Sequence, residues 1–183
     1  MRADVRVRAA QTGDLHAVIR LYEDVCRHVE ENNPIVWWKR EVYPTAQTAR
    51  EGLEAATLYV AEAQARLAGA VILNQTPEAG YAGIAWPSGA RDEQALVVHT
   101  LCVHPDFAGR GVGRALLSFA VDLAADRDLA AVRLDVWDGN ARAIALYEAC
   151  GFIWVAQADL GYGQYGLHTY RLYERSAKKT NVL

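Results

Sequence analysis

A buried strand followed by a glycine-rich loop and a helix is the feature that most constrains this chain. Residues Ala95–Val103 form a nearly continuous apolar run, typical of a central strand covered on both faces. The loop Gly109–Gly113, GRGVG, follows, and an amphipathic helix then continues to about Arg127. Alternating glycines at a helix start let backbone N–H groups converge on one point, where the helix dipole adds positive charge. This arrangement predicts a site for a pyrophosphate or a similar dianion.

The spacing of the glycines distinguishes this loop from two other phosphate-binding loops. No Gly-Lys-Ser/Thr follows, so ATP with magnesium at a Walker loop is disfavoured. The loop also lacks the third glycine of G-x-G-x-x-G, because Arg114 follows GRGVG, which argues against a dinucleotide-binding fingerprint. A plain glycine turn that enters a helix is the structural alternative.

Composition and charge narrow the class of protein further. A chain of 183 residues with 52% hydrophobic and 22% charged residues is typical of one globular domain. We expect residues 1–175 to form this domain and residues 176–183 to be a frayed tail. Without an apolar stretch long enough for a signal peptide or a membrane span, we expect a cytoplasmic location and no membrane partner. A net charge of -3 gives no general basic field, so nucleic-acid binding is not expected.

The cysteines and histidines give no sign of a disulfide framework or a metal site. Cys26, Cys102 and Cys150 are odd in number and widely spaced, which favours reduced thiols packed as small hydrophobes. The five histidines form neither an HExxH motif nor a Cys/His pair at zinc spacing. We therefore expect no metal.

The periodicity of the rest of the chain predicts a mixed α/β sheet with helices packed on it. Residues 74–93 form the longest loop, and loops of this length are usually functional or mobile. A final helix is predicted between the cap Asn140 and the terminating Gly151. The other predicted elements are strand Val5–Val7, helices Leu15–Asn32 and Thr45–Ala56, and strands Leu58–Ala61, Leu67–Leu73, Ala131–Val136, Phe152–Ala156 and Thr169–Tyr173.

Two motifs in this chain resemble those of the GNAT family of N-acetyltransferases. The family's first motif, Arg/Gln-x-x-Gly-x-Gly/Ala between a strand and a helix, is similar to Ala108–Gly113. Its second motif, Asn-x-x-Ala-x-x-Leu-Tyr-x-x-x-Gly-Phe, matches Asn140–Phe152 at every marked position. The chain departs from the first motif at Ala108, where Arg or Gln is usual, so Arg110 or Arg114 is a candidate to replace that charge. The resemblance is strong over about residues 94–158.

The resemblance implies a fold, a co-substrate and a set of binding residues. The fold is a GNAT-type mixed, splayed sheet of about six to seven strands with about four helices, and the co-substrate is acetyl-CoA, used to acetylate a primary amine. In the family the strand before the loop bulges, which frees backbone N–H groups for the thioester and the pantetheine arm. Asn140 has the alternative of acting only as a helix cap. The implied cofactor-binding residues are Leu101, Cys102, Val103, Ala108, Gly109, Arg110, Gly111, Val112, Gly113, Arg114, Asn140 and Ala143.

Transfer to an amine requires a proton acceptor and a group that meets the leaving thiolate. An alkyl amine with a pKa near 10.4 is protonated at neutral pH and must lose a proton before it attacks. Tyr147 stands at the family's general-acid position, with a core aromatic as the alternative. His99 is the candidate base, because this part also resembles arylalkylamine acetyltransferases, which have a histidine at the matching position. A structural histidine or a water chain stays open, and His104 beside Pro105 is expected to be a loop residue.

The sequence does not identify the amine acceptor. Aromatic residues are candidates for an apolar or cation-binding pocket, with loop packing as the alternative. The rival interpretation is a catalytically idle acyl-CoA-binding sensor, which Ala108 alone supports, and a third is an enzyme acting on protein amino termini or lysines. A homodimer is expected only because dimers are common in the family. The candidate pocket residues are Trp37, Trp38, Tyr43 and Trp86, together with Tyr162 and Tyr165.

Overall fold

The structure, a computed structural model, describes residues 4–32 and 38–177. These ranges contain four α-helices and seven β-strands. The helices are α1 (Leu15–Asn32), α2 (Ala46–Glu54), α3 (Val112–Asp126) and α4 (Ala141–Ala149). The strands are β1 (Val5–Ala9), β2 (Leu58–Ala63), β3 (Arg66–Asn74), β4 (Ala95–Val103), β5 (Ala131–Trp137), β6 (Ile153–Ala158) and β7 (Tyr170–Ser176).

The strands hydrogen-bond in the order β1-β2-β3-β4-β5-β7-β6. β1 with β2, β2 with β3, β5 with β7 and β6 with β7 are antiparallel pairs. β4 and β5 are parallel, with Ala95–Val97 opposite Ala131–Arg133. Parallel and antiparallel pairs in one sheet confirm the predicted mixed α/β fold class.

The chain divides into two compact units. The first consists of Met1–Leu73 and His99–Leu116, and the second of Asn74–Val98 and Leu117–Leu183. Each unit has a hydrophobic cluster formed from its own residues.

In the first unit, one face of α1 packs against β2 and β3. The buried α1 residues recur every three or four positions, which is why this segment forms an amphipathic helix. Thr45 caps α2, since its Oγ1 accepts a hydrogen bond from the Thr48 backbone N–H at 3.3 Å. The cluster comprises Val18, Leu21, Tyr22 and Val25 of α1, Ala49 of α2, Leu58 and Val60 of β2, Ala70 and Ile72 of β3, and Cys102 of β4.

The three cysteines are free and buried, in agreement with their predicted packing as small hydrophobes. Burial raises the pKa of Cys26 to about 11 and that of Cys102 to about 12. Both thiols are therefore neutral at physiological pH, which is the state that an apolar core accommodates.

In the second unit, a buried ion pair attaches a loop to the sheet. Arg133 of β5 and Glu174 of β7 are opposite each other in the ladder, with Nε to Oε2 at 3.0 Å and side chains 1% and 3% exposed. The Glu174 carboxylate also accepts hydrogen bonds from the Ser88 N–H and hydroxyl, at 2.8 and 2.9 Å. The Arg133 guanidinium bonds Asp92 at 2.9 Å and lies 4.3 Å from the centroid of Trp86. These contacts fix the long loop that the sequence leaves without strands.

Several element boundaries differ from the prediction. β4 is buried on both faces only through Val98, and from His99 its residues alternate between part-buried and buried, so the prediction of burial along the whole strand is wrong. β7 continues through Ser176 and Ala177 is 2% exposed, while residues 178–183 of the predicted tail lie outside the described residues. Within the described ranges, no helix has the length and hydropathy to cross a bilayer.

We expect Glu174→Gln to lower the free energy of unfolding by about 3 kcal/mol, because it removes the buried anion of Arg133 and leaves only the exposed Asp92 carboxylate as its partner. Urea denaturation measures this difference. The matched control is Glu93→Gln, since the pair of Arg91 and Glu93 is 75% exposed on both sides and should contribute little. Equal stability losses in the two variants would contradict the importance of the buried pair.

Candidate active site

The glycine loop presents open backbone at the start of α3. Gly109 and Gly111 have φ angles of +75° and +93°, and a Cβ at either position would meet no atom within 4 Å. The Ala115 N–H donates to the Gly111 carbonyl at 3.0 Å, which begins the helix. The N–H groups in the first turn of a helix have no acceptor within the helix and carry its positive dipole end. The loop therefore has the backbone donors that an anion requires.

Two arginine side chains pack on the ring of Phe107 beside this loop. The ring is 1% exposed, and the guanidinium carbons of Arg66 and Arg110 lie 5.3 and 5.7 Å from its centroid. Such cation–π contacts restrain the two guanidinium groups without neutralising them. Arg66 also pairs with Asp106 at 3.2 Å. Arg110 is thus placed to supply positive charge near Ala108, where the family usually has a polar side chain.

In the first unit, Gly69 of β3 lies against the backbone of β4 and the start of α3. A Cβ at this position would lie 2.8 Å from the Cys102 carbonyl oxygen and 2.9 Å from a methyl group of Val112. Both distances are shorter than real Cβ contacts, so only glycine fits without a shift of the loop end. Gly69 is absent from the predicted site residues, although a glycine inside an apolar strand often marks a place where another backbone comes close.

β4 departs from regular strand geometry beside the candidate base. Thr100 has a φ of +48°, a conformation rare for a β-branched residue. Its neighbours His99 and Leu101 are part-buried, as is Val103. The Cys102 side chain belongs to the hydrophobic cluster of the first unit, so only its backbone is available to a ligand. The irregularity agrees with the bulged strand that the resemblance implies.

The last residues of the first motif lie at the start of α3. Val112 and Gly113 are buried, whereas Arg114 is exposed.

His104 and His99 differ in their surroundings. The His104 Nδ1 accepts a hydrogen bond from the Asp106 N–H at 3.1 Å, which makes His104 the cap of a 3₁₀ turn and agrees with a loop role. His99 is therefore the candidate base.

Tyr147 lies on the buried face of α4 in the second unit. It is 8% exposed, and its ring is 6.3 Å from the rings of both Phe152 and Tyr173. Burial, with added repulsion from the Asp135 carboxylate, raises the pKa of the Tyr147 hydroxyl above its ordinary value. The hydroxyl therefore stays protonated throughout the neutral range and can act as a hydrogen-bond donor.

Asp135 is a carboxylate that the sequence analysis missed. The Tyr81 hydroxyl, in a side chain only 3% exposed, donates to Asp135 Oδ1 at 2.9 Å. Burial and Asp135 together raise the pKa of Tyr81, and burial, Glu78 and Asp135 raise that of Tyr162. The second unit thus gathers carboxylates and phenols around β5. A single acidic residue inside the apolar run of β5 was the available signal, because a buried charge is costly without a partner.

Asn140 acts as the cap of α4. Its Oδ1 accepts from the Ala143 N–H at 3.2 Å, and Gly151, with a φ of +79°, follows the helix end. Asn140 therefore caps the helix, which was one of its two predicted roles, and the Ala143 N–H is already used in this bond. A role toward the coenzyme would use the amide nitrogen of Asn140 or the second lone pair of its Oδ1.

The predicted pocket aromatics make packing contacts. Trp38 packs on the cluster of the first unit and meets Tyr43 edge to face at 6.0 Å. Trp86 lies against Tyr81, with centroids 5.2 Å apart, as well as under Arg133. These contacts favour loop packing for Trp38 and Trp86, while Tyr165 is 43% exposed. Trp37 lies outside the described residues.

Residues 15–152 match the acetyltransferase (GNAT) family. The match covers most of the chain and includes both motifs, so the chain belongs to this family. The family and the class of enzyme predicted from the two motifs are confirmed, and with them acetyl-CoA as the co-substrate of the class.

Solved acetyltransferases share the fold across nearly the whole chain. A GNAT acetyltransferase from Streptococcus agalactiae superposes with a TM-score of 0.79 at 17% identity, covering 96% of both chains. A putative acetyltransferase from Salmonella typhimurium, solved with its cofactor acetyl-CoA, has a TM-score of 0.69 at 18% identity and covers 97% of this chain and 96% of its own. At such identities the likeness is one of fold.

A curated relative is more similar in sequence over a shorter segment. The ribosomal protein bS18-alanine N-acetyltransferase of Escherichia coli is 46% identical over 61 residues, which is 33% of this chain and 40% of the relative. The chain spans 19%, 30% and 40% of the length of three curated relatives that it matches.

We expect Asn140→Ser to keep the cap and Asn140→Ala to lose about 1 kcal/mol of unfolding free energy. Because the observed bond is a cap, the Ser variant should also bind coenzyme A as the unchanged chain does. Urea denaturation and calorimetric titration with coenzyme A measure the two effects. Weaker coenzyme binding by the stable Ser variant would contradict a purely capping role.

Proposed function

We propose that this chain transfers an acetyl group from acetyl-CoA to a primary amine by direct attack in a ternary complex. The observation that carries the proposal is the open glycine loop at the start of α3, with Gly109 and Gly111 left-handed and unobstructed. The pyrophosphate of the coenzyme is the anion that this loop would bind, through the N–H groups of Gly109 and of residues 111–114. The Arg110 N–H is already used, because it donates to the Phe107 carbonyl at 3.2 Å. Family membership supports the same assignment.

The thioester would lie along the second half of β4. The backbone N–H groups of Leu101 and Val103 follow the left-handed Thr100, and we assign them to the pantetheine arm and the thioester carbonyl. In the reaction the amine nitrogen bonds to the carbonyl carbon, a tetrahedral oxyanion forms, and the carbon–sulfur bond then breaks. A well-aimed N–H donor typically stabilises such an oxyanion by about 3 kcal/mol.

Tyr147 would meet the leaving sulfur. Its raised pKa keeps the hydroxyl protonated, so it can donate a hydrogen bond to the thiolate as negative charge develops there. Full proton transfer from so weak an acid to a thiolate whose conjugate acid has a pKa of about 8.5 is uphill. The proposed role is therefore hydrogen-bond stabilisation of the thiolate by a hydroxyl that keeps its proton. The departing thiolate takes its proton from solvent, and the proton that the base accepted from the amine returns to solvent, so no net proton is gained or lost by the chain.

The proton of the attacking amine needs an acceptor, and we propose His99 for this role. It is part-buried beside the left-handed turn of β4, and imidazole is the side chain suited to accept a proton near neutral pH. Asp135, held by Tyr81 in the same unit as Tyr147, carries negative charge that would attract an ammonium group. We propose that Asp135 binds the acceptor before its deprotonation.

The curated relative and the charge around β5 each support one class of acceptor. The relative's name describes an enzyme that acetylates the alanine of a ribosomal protein, which supports a protein or peptide amine as one candidate. Small amines are the other, because the carboxylates and phenols around β5 suit any cationic amine. The idle acyl-CoA sensor is the rival function, and the position of Ala108 is its support.

Two further predictions about the whole protein stay predictions. β6 ends the strand order, and its Ile153 and Trp154 are 54% and 58% exposed, which is the apolar edge that a second copy in a homodimer would cover. The cytoplasmic location is the other.

With acetyl-CoA and a panel of diamines, arylalkylamines and short peptides, we expect release of the coenzyme thiol with at least one acceptor. Tyr147→Phe should lower kcat about 100-fold while the Kd for coenzyme A stays within about twofold. The matched control is Tyr173→Phe, which removes the hydroxyl that bonds Glu148 from a ring packed on Tyr147 and should leave kcat unchanged. Tight coenzyme binding without thiol release for any amine would favour the idle sensor.

The two proposed roles on the amine side predict different kinetic signatures. His99→Gln should alter the acidic limb of the pH–rate profile, because the proton acceptor is lost. Asp135→Asn should instead raise KM for the amine and leave that limb in place, because only an attractive charge is removed. Initial rates between about pH 5 and 8, the range in which an ordinary imidazole changes its charge, distinguish them. Loss of the limb in Asp135→Asn but not in His99→Gln would transfer the base to Asp135.

A further inference from the structure

A rare backbone conformation stands at the centre of the proposed reaction site in the first unit. Thr100, with a φ of +48° and 7% exposure, lies between His99 and Leu101 in β4. The left-handed region is unfavourable for a residue branched at Cβ, and the chain keeps such conformations only where surrounding contacts hold them. The direction of the His99 side chain and of the Leu101 N–H depends on this one residue, since each is one peptide unit away.

The side chain of Thr100 has a partner from a distant part of the chain. The Tyr43 hydroxyl and Thr100 Oγ1 form a hydrogen bond across 57 positions of sequence. The bond joins the left-handed residue of β4 to the segment that precedes α2. The contact also gives a specific use to an aromatic residue that the sequence placed among the pocket candidates.

Tyr43 is itself held in place by its own backbone. Its N–H donates to the Lys39 carbonyl and its carbonyl accepts from the Lys39 N–H, both at 3.0 Å. The Cys26 thiol of α1 donates to the same Tyr43 carbonyl at 3.6 Å, and the Trp38 ring packs edge to face on the Tyr43 ring. The phenol therefore reaches Thr100 from a fixed origin, as a positioning contact requires.

We propose that Tyr43 is a positioning residue for acetyl transfer, which holds Thr100 in its left-handed conformation and so directs the Leu101 N–H and the His99 side chain. The inference rests on the proposed function, because the direction of these two groups matters to the reaction only if they take part in acetyl transfer. Tyr43 touches neither thioester nor amine in this role, and it acts through Thr100 alone.

Removal of the bond from either side should have the same effect. We expect Tyr43→Phe and Thr100→Val each to lower kcat about tenfold, because a donor or base displaced by a fraction of an ångström loses much of its effect. The double variant should be no slower than either single variant, since both changes remove one interaction. The Kd for coenzyme A, measured by calorimetry, should change less than kcat.

A third variant separates positioning from general stability. Thr100→Gly takes the left-handed conformation without a Cβ penalty, so it no longer needs the hydroxyl of Tyr43. We therefore expect Thr100→Gly to retain more of kcat than Thr100→Val, although both variants lack the hydroxyl that Tyr43 bonds. A merely structural role predicts the opposite order, because the small glycine adds a cavity to the lost hydrogen bond.

Tyr22 supplies the matched control. Its side chain is 1% exposed in the same unit, and among the described residues its hydroxyl has no hydrogen-bond partner. Tyr22→Phe thus removes a buried phenol hydroxyl that positions nothing, and it should leave kcat unchanged and raise the melting temperature slightly. A lower kcat in Tyr43→Phe than in Tyr22→Phe would therefore come from the lost bond to Thr100, and not from the loss of any buried hydroxyl.

The outcomes of this experiment are distinct from those of the proposed function. If the unchanged chain releases no thiol with any amine, acetyl transfer itself is wrong. If the unchanged chain is active and Tyr43→Phe retains its kcat, or Thr100→Gly loses as much kcat as Thr100→Val, the positioning role is wrong while the function stands. Circular dichroism and melting temperatures confirm that each compared variant is folded.

Discussion

The left-handed residue in β4 is the constraint on which the proposed chemistry depends. Before it, Ala95–Val98 is buried on both faces and Ala95–Val97 pairs with β5. After it, the strand alternates between part-buried and buried residues and leads directly into the glycine loop. A regular strand would engage its N–H groups in ladder bonds throughout. One reversed φ at Thr100 changes the direction of those groups in the part of β4 to which we assign the acyl group.

A buried ion pair holds the sheet and the long loop of the second unit together, although charged residues are usually exposed. Arg133 and Glu174 are almost fully buried, and removing both from water is costly. The cost is offset because Ser88, Asp92 and the Trp86 ring complete the coordination of both groups. The same contacts turn the loop after β3 into a fixed surface. The loop of residues 75–94 is thereby ordered with two short 3₁₀ turns but without a strand or an α-helix of its own.

The sequence predicted what depends on local pattern, and the structure added what depends on distant pairing. The apolar run of β4, the glycine loop and the two motifs are local, and the family and the sheet followed from them. The left-handed turn at Gln64 and Ala65, with φ of +54° and +58°, has none of the glycine or asparagine that normally signals it. Asp135 was missed because its significance comes from Tyr81, which is 54 positions away. The bond of Tyr43 to Thr100 has the same character.

The surroundings of the phenols explain how one carboxylate can serve two parts of the proposed reaction. Asp135 raises the pKa of Tyr147, which keeps the hydroxyl protonated and available to a thiolate. The same negative charge favours an ammonium group, and it opposes the loss of the proton that must precede attack. The acceptor would therefore bind in its charged form and react in its neutral form. That sequence of states requires a second group as the proton acceptor, and it is the physical reason to separate binding by Asp135 from deprotonation by His99.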